Sequence, residues 1–409
     1  MLKIVHISSY DNGGAGGAAL RLHLGLLASG VDSVFLCGVK TSNAQNVIEF
    51  RQKKSLFQST FFRTPFNAAK IPIDKYNRNL QRLSKLSGDF EVFTFPDSES
   101  DILSHPAVKK ADIINLHWVA KYLDYPSFFK NIKKPVVWTL HDMNPFQGGF
   151  HYYNDVVRNM KQFGRLENRL RKQKEALIQQ CKNLTVVAPS SWLTNIAGQS
   201  EAFKQAASFH TIPNGVSTES FKDYGIIARE IFDLPKDKII ISFVSSDIHN
   251  FRKGFDMLYE AIQRMGDLDD VIFCAVGSAP GDLIRENVRY LGNIRDERLM
   301  SLVYTASDGY VLPSREDNLP NVMIEAMACG TPVLSFPIGG MLDVIRPNFN
   351  GNFATEISSN SLAEGLSLFI KNITKYDRQQ IRRNIIDHYS LPVQAKNYIN
   401  LYNEIASKK

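Results

Sequence analysis

Only four cysteines occur in 409 residues, at Cys37, Cys181, Cys274 and Cys329, and no two form a C-x-x-C pair. That scatter excludes a disulfide framework and a clustered zinc site, and the four read as reduced thiols. Long apolar runs are also missing. None approaches the ~18 residues that a membrane-spanning helix needs. The opening MLKIVHISSY is a strand-like stretch leading to a glycine-rich turn rather than a signal peptide, so the expected location is the cytoplasm. The sequon Asn183-Leu-Thr185 carries no weight without export. No internal repeat or low-complexity tract interrupts the chain.

What is present is the composition of an ordinary soluble protein, 44% hydrophobic and 22% charged, long enough for two domains with separate cores. The net charge of +7 is unevenly spread. Residues 1–215 hold 27 Lys and Arg against 16 Asp and Glu, whereas the remainder holds 21 against 25. A basic first half beside an acidic second half suggests that one lobe meets an anionic surface.

Alternation from Leu2 to Ser8 predicts a first buried strand. The glycine-rich stretch from Asp11 to Ala19 follows, then a helical pattern reaching Gly30, then a strand over Val31 to Val39. Strand, glycine-rich turn and helix is the geometry by which a backbone approaches a phosphate or sugar, although this turn is no G-x-G-x-x-G fingerprint. Two later strands each end on a histidine: residues 111–118 close with His117-Trp118, and residues 135–143 with His141-Asp142. In an open parallel sheet such strand ends line the ligand crevice. Either histidine alone would suit a structural place; together they form a constellation.

The βα alternation restarts with strands at Ile239–Val244, Val271–Gly277 and Arg289–Gly292, and the turn Phe251-Arg252-Lys253-Gly254 opens a helix over Phe255 to Met265. A lysine at a helix start is either an exposed end residue or a neutraliser of phosphate. The stretch around which the chain is organised is 309–340. Gly309 to Leu312 predicts a strand, Asn321 to Cys329 a helix that Gly330 terminates, and Thr331 to Phe336 a second strand. A strand feeding a helix aims unpaired N–H groups and the positive dipole end at a crevice, which suits an anion. Asp317 and Glu325 bracket that helix start and would repel phosphate, so they read as acceptors for sugar or ribose hydroxyls, or else as a cap and a solvated Glu.

The run DNLPNVMIEAMACGTPV, residues 317–333, resembles the E-x7-E signature of retaining glycosyltransferase family 4, which has the GT-B fold. The resemblance implies an α/β architecture of two Rossmann-like, doubly wound domains facing an interdomain cleft. The first would span 1–215, with a closing helix at 393–409 packed back on it, and the second 216–392. It implies Glu325 on the donor ribose, Asp317 with the backbone of Asn318 and Leu319 on the transferred sugar, and Lys253 on the donor phosphates. Asp317 stands where the family usually has Glu, with Glu316 beside it. The family's partner arginine on the preceding strand is replaced by Ser245-Ser246, and Arg252 is the substitute candidate. The backbone of Arg289–Gly292 would meet the base. Gly13-Gly14…Arg21-Leu-His23 is similar to the opening of bacterial polysaccharide-building members, which implies Gly14 on the donor and Gly13 on the acceptor side. The H-W and T-L-H-D-M segments imply His117 beside the donor sugar, with His141 and Asp142 on the acceptor side. Related sequences continue with G-G-C-H-Y; Gly148-Gly-Phe150-His-Tyr152 lacks that cysteine, so no metal site is expected.

Two basic stretches stand outside this pattern. Residues 51–85 carry nine basic residues and one acid, Asp74, among aromatics, and 158–174 carries seven against Glu167 alone. Solvated helix faces, contact with an anionic inner-membrane leaflet, and nucleic-acid binding all fit. The last ranks lowest, because no nucleic-acid module accompanies either stretch, and the acceptor-side placement implied by the family favours the membrane. The activity implied is retaining transfer of a sugar from a nucleotide-diphosphate sugar, UDP before GDP, to a hydroxyl of a glycan or lipid-linked acceptor in cell-surface polysaccharide or lipopolysaccharide synthesis. His117, Asp317 and Lys253 would carry the chemistry, with neither metal nor cofactor. The rivals are a nucleotide-sugar epimerase of the same fold and a catalytically silent membrane- or partner-binding scaffold. No oligomeric state is assigned.

Overall fold

The computed structural model describes residues 2–51, 79, 81, 83–245, 249–266, 268–277 and 287–408. Most of the basic stretch 51–85 therefore lies outside the described residues. The chain divides into two compact units, one comprising Met1–Pro189, Leu193–Ile212 and Tyr398–Lys409, the other Ser190–Trp192 and Pro213–Asn397.

The first unit is built on a seven-stranded sheet: β1 (Lys3–Tyr10), β2 (Asp32–Val39), β3 (Val47–Glu49), β4 (Ile113–Leu116), β5 (Val136–Thr139), β6 (Leu184–Ala188) and β7 (Ser208–Thr211), in the order β3-β2-β1-β4-β5-β6-β7. Every adjacent pair is parallel. Strands of such a sheet are covered on both faces, and so β4, β5 and β6 are buried at every residue and apolar except at Asn115, Thr139 and Thr185. Helix Gly13–Ala28 follows β1 after only two residues. The glycines expected to form a loop are thus its first turns, and Gly16 packs so close that a Cβ there would stand 2.6 Å from the Tyr10 carbonyl. Within this unit Tyr402 Oη accepts from Asn115 at 2.8 Å, and Tyr398 Oη lies 2.9 Å from Thr139 Oγ1, which ties the C-terminal helix to β4 and β5.

Helix Tyr153–Ile178 buries Val156, Phe163, Leu170 and Ile178 and leaves most of its basic residues exposed. Two residues depart from the expected solvated face. Glu167 is buried and accepts from the N–H groups of Gly148 at 2.5 Å and Gly149 at 2.7 Å. Lys174 is buried and donates to the carbonyl and Oδ1 of Asn144 at 2.7 and 3.1 Å. Burial lowers the Lys174 amine to about 7, against the pull of Glu167 and Asp142. These two residues brace the 144–150 turn instead of extending a basic patch.

The second unit holds a six-stranded parallel sheet: β8 (Ile239–Ser245), β9 (Val271–Gly277), β10 (Val288–Tyr290), β11 (Gly309–Leu312), β12 (Val333–Ser335) and β13 (Gly351–Phe353), in the order β10-β9-β8-β11-β12-β13. Helix Asn321–Ala328 runs between β11 and β12, its residues from Met323 onward all buried. One core packs Met323, Ile324, Met327 and Val333 with Tyr304 and Tyr310. Another lies across the sheet, where Phe255, Leu258 and Ile262 of helix Phe255–Arg264 meet Leu362, Leu366 and Phe369. No helix among the described residues is long and apolar enough to cross a membrane.

Candidate active site

Each sheet reverses its strand order once, between β1 and β4 in the first unit and between β8 and β11 in the second. Crevices at such reversals, off the carboxyl ends of the strands, are where open α/β sheets bind ligands. The residues singled out from the sequence collect at these two places.

In the second unit, the chain leaves β8 and makes a 3-10 turn at Phe251–Lys253, capped by Asn250, whose Oδ1 accepts the Arg252 N–H at 3.0 Å. Gly254 follows in the left-handed region at φ +66, and a Cβ there would collide with the Pro313 carbonyl, so the turn after β8 lies directly on the turn after β11. That contact sets the cluster. Lys253 Nζ stands 2.7 Å from Asp317 Oδ2, and Arg252 Nη1 stands 3.2 Å from the same oxygen while also donating to the Glu316 carbonyl at 3.2 Å. Asp317 Oδ1 accepts the Asn318 N–H at 3.0 Å. Burial alone would raise the Asp317 carboxyl, but Lys253 and Arg252 hold it below the usual carboxylate range. Two cations share this one carboxylate.

Asn318 and Leu319 are buried beside it, and Asn318 Oδ1 accepts from Ser190 Oγ at 2.6 Å. Helix Asn321–Ala328 begins at Pro320 with no side-chain cap. Glu325, 8% exposed, lies in its second turn and accepts from the Tyr304 hydroxyl at 3.4 Å. The structure thus brings Arg252, Lys253, Asp317, Asn318, Leu319 and Glu325 together in one unit. The spacing of 317–333 does not point to Tyr304, which sits on helix Glu297–Ala306.

In the first unit, His117 follows β4 and His141 follows β5. Both line a shallow recess with Trp118, Tyr125, Asp142 and His151. His117 Nδ1 is 3.2 Å from His141 Nε2, and His117 Nε2 is 2.9 Å from His6 Nδ1. Burial, reinforced by His6 and His141, keeps His117 well below the usual histidine range; burial also brings His141 to about 4 despite Asp142. These rings are neutral at pH 7. Asp142 Oδ2 takes the Trp118 Nε1–H at 2.7 Å and pairs with His151 Nδ1 at 2.6 Å. Burial opposes the Asp142 charge, but His151 and the Trp118 and Asn144 N–H groups hold the carboxyl low. Gly13 and Gly14 are exposed at the start of helix Gly13–Ala28. Sequence pattern does not reveal His6, which sits among apolar neighbours with no motif spacing; His151 lies in the Gly148–Tyr152 stretch, which is read for its missing cysteine and not for its histidine.

Residues 227–387 match the family model described as Glycosyl transferases group 1. That matched stretch, similar to the family's domain, falls within the second unit. Curated relatives agree: an uncharacterized glycosyltransferase of Methanocaldococcus jannaschii is 26% identical over 188 residues, 42% of this chain and 47% of that protein. The phosphatidyl-myo-inositol mannosyltransferase of Mycobacterium leprae is 25% identical over 206 residues, 48% and 54% of the two chains. The chain spans about half the length of these curated relatives. Sucrose-phosphate synthase from Thermosynechococcus elongatus superposes with a TM-score of 0.71 at 18% identity, over 100% of both chains. HepE of Anabaena in complex with UDP superposes at 0.65 and 16% identity, over 98% of this chain and 100% of that one. At such identities the likeness speaks to fold alone, and the fold is GT-B. The matched span includes the Lys253–Asp317–Arg252 cluster and Glu325.

Proposed function

We propose that the protein transfers a sugar from a nucleotide-diphosphate sugar to a hydroxyl group of a glycan or lipid-linked acceptor, with retention at the anomeric carbon. The observation that carries this reading is the pair of cations Lys253 and Arg252 around Asp317, set beside the start of helix Asn321–Ala328, which has no side-chain cap. A sugar leaves a nucleoside diphosphate only if the developing charge on the β-phosphate is stabilised. Two cationic side chains and the amide groups of a helix start do so where charge develops. In this reading Lys253 and Arg252 take the diphosphate in place of a divalent ion, and Glu325 takes the ribose hydroxyls. Asp317, with the Asn318 and Leu319 backbone, holds the sugar. The leaving diphosphate takes the proton of the acceptor hydroxyl on the same face of the sugar, so no carboxylate nucleophile is called for. UDP-sugars are the favoured donors; the HepE neighbour is described with UDP-glucose. His141 and Asp142 line the acceptor-side recess; Gly13 is assigned to the acceptor and Gly14 to the donor. His117, whose two nitrogens are engaged by His6 and His141, acts through His141.

The exposed basic residues of helix Tyr153–Ile178, among them Lys161, Arg165, Arg169 and Lys172, are the surface we assign to anionic lipid at the cytoplasmic face of a membrane. Co-sedimentation with phosphatidylglycerol vesicles that weakens in salt is the expected result.

Incubation with a panel of UDP- and GDP-sugars, with product analysis in EDTA, tests the central reading. Donor hydrolysis or transfer of one sugar that survives EDTA is expected. Release of an epimer from donor alone would replace this reading with the epimerase, and the absence of nucleotide binding by calorimetry would replace it with a scaffold.

A further inference from the structure

The buried histidines of the first unit form a chain whose inner members, His6 and His23, have no part in the proposed transfer so far. His23, His6, His117 and His141 succeed one another from the interior to the recess, with ring centroids 5.8, 5.2 and 5.4 Å apart. His23 closes the inner end. Its Nε2 stands 2.9 Å from the Gln45 carbonyl, which can only accept, so that nitrogen carries the proton and Nδ1 accepts from Ser33 Oγ at 2.7 Å. His6 is fully buried on β1, stacked between Phe35 and His117, and its Nε2 has no hydrogen-bond partner among the described residues.

That orphaned nitrogen decides the direction of the chain. Three neutral rings joined by two hydrogen bonds can point either way. Pointing inward, the proton of His6 would sit on Nε2 as a buried N–H without an acceptor, an arrangement that folded proteins essentially avoid. Pointing outward, only a lone pair is left unmatched. A charged His6 would carry the same orphan N–H and the cost of a buried cation besides.

We propose that His6 is a positioning residue: its Nδ1–H donates to His117 Nε2, His117 Nδ1–H donates to His141 Nε2, and the proton of the outer ring is thereby held on Nδ1. In this arrangement both nitrogens of His117 are used, so it neither gives nor takes a substrate proton. His141 has its basic nitrogen occupied, so it serves the recess as an Nδ1–H donor and not as a general base. The tautomers follow from the fold alone; their catalytic consequence rests on the transferase reading.

The test begins with the full-length wild-type chain, labelled with ¹⁵N-histidine, in two-bond ¹H–¹⁵N correlation spectra at pH 7, with signals assigned by single substitution. His6, His117 and His141 are expected as neutral Nδ1–H tautomers. An Nε2–H or imidazolium signal from His117 or His141 overturns the proposal, and this measurement needs no variant to fold. The second arm compares His6→Asn, which sets an amide nitrogen where Nδ1 stands, with His6→Phe, which fills the space but donates nothing. His6→Asn should retain the Nδ1–H signals of His117 and His141 and keep kcat within about threefold. His6→Phe should lose those signals and lower kcat at least tenfold with little change in donor KM. The reverse order, Phe tolerated and Asn impaired, would show a packing role only and overturn the proposal. If the wild type transfers no sugar, the transferase reading fails while the tautomer spectra still decide this one.

Discussion

Replacing Lys253 by alanine should separate catalysis from stability in the donor cluster. Lys253 Nζ lies 2.7 Å from Asp317 Oδ2, and its side chain is 30% exposed, so it is the open member of the pair of cations. Arg252, with a side chain 8% exposed and 3.2 Å from the same oxygen, is the closed one. Lys253→Ala leaves Asp317 neutralised by Arg252. The lost half-open ion pair should cost no more than about 1 kcal/mol of stability. A charge-assisted hydrogen bond to a diphosphate oxygen is worth about 1.5–3 kcal/mol, so kcat/KM should fall roughly 10- to 150-fold. Asp317→Asn makes the contrast. It removes the carboxylate that Lys253 shares with the buried Arg252 guanidinium and should cost about 3–5 kcal/mol of stability as well as activity. Urea midpoints, initial rates over a donor series, and nucleotide affinity by calorimetry, measured on both variants, complete the comparison. A Lys253→Ala enzyme within twofold of wild type in kcat/KM, with unchanged nucleotide affinity, would remove the lysine from the site. Equal destabilisation of both variants would show that Arg252 does not depend on Asp317 for its counter-charge.

Glu325→Ala should lower kcat/KM at least tenfold, about 1.4 kcal/mol or more, mainly through donor KM; a UDP-binding isotherm identical to wild type would refute a ribose contact. Gly254→Ala, at φ +66 and against the Pro313 carbonyl, should destabilise by about 2 kcal/mol or more, read as a lower urea midpoint, and an unchanged midpoint would show that the two turns yield easily. Acid should weaken the first unit. His141 titrates near 4 in the fold against 6.5 when unfolded, and His6 and His117 are also depressed by burial. The unfolded chain therefore binds more protons, so stability is whole above pH 6.5 and declines as pH falls toward 4, by about 1.4 kcal/mol per unit for His141 alone. A urea midpoint flat from pH 7 to 5 would contradict this.

Much of the architecture could be read from the chain. The strands Val271–Gly277 and Gly309–Leu312 fall where the apolar runs placed them, because a strand buried on both faces is apolar along most of its length. Helix Asn321–Ala328 stops where Gly330 allows a left-handed residue. The glycines after β1 read less well. Their composition suggests an open loop, but Gly16 serves a close helix–strand approach, which local pattern does not distinguish from a turn. Lys174 and Glu167 belong by sequence to a solvated face, since charge in a basic run ordinarily means solvent; the polar groups of the 144–150 turn draw both inside.

From the sequence alone came most of the strands, though not β3, β7 or β13, the ends of two of them on His117 and His141, and the pairing of Asp317 with Glu325 across one helix start, because these depend on periodicity and near neighbours. Tertiary structure decided the rest. Lys253 and Asp317 are 64 positions apart and meet only because β8 and β11 lie side by side with Gly254 between their turns. His6 and His117 are 111 apart and meet only because β1 pairs with β4. A parallel sheet sets strands remote in sequence within one hydrogen bond of each other, and at its strand-order reversal it gathers side chains whose charges and protons are then set by one another.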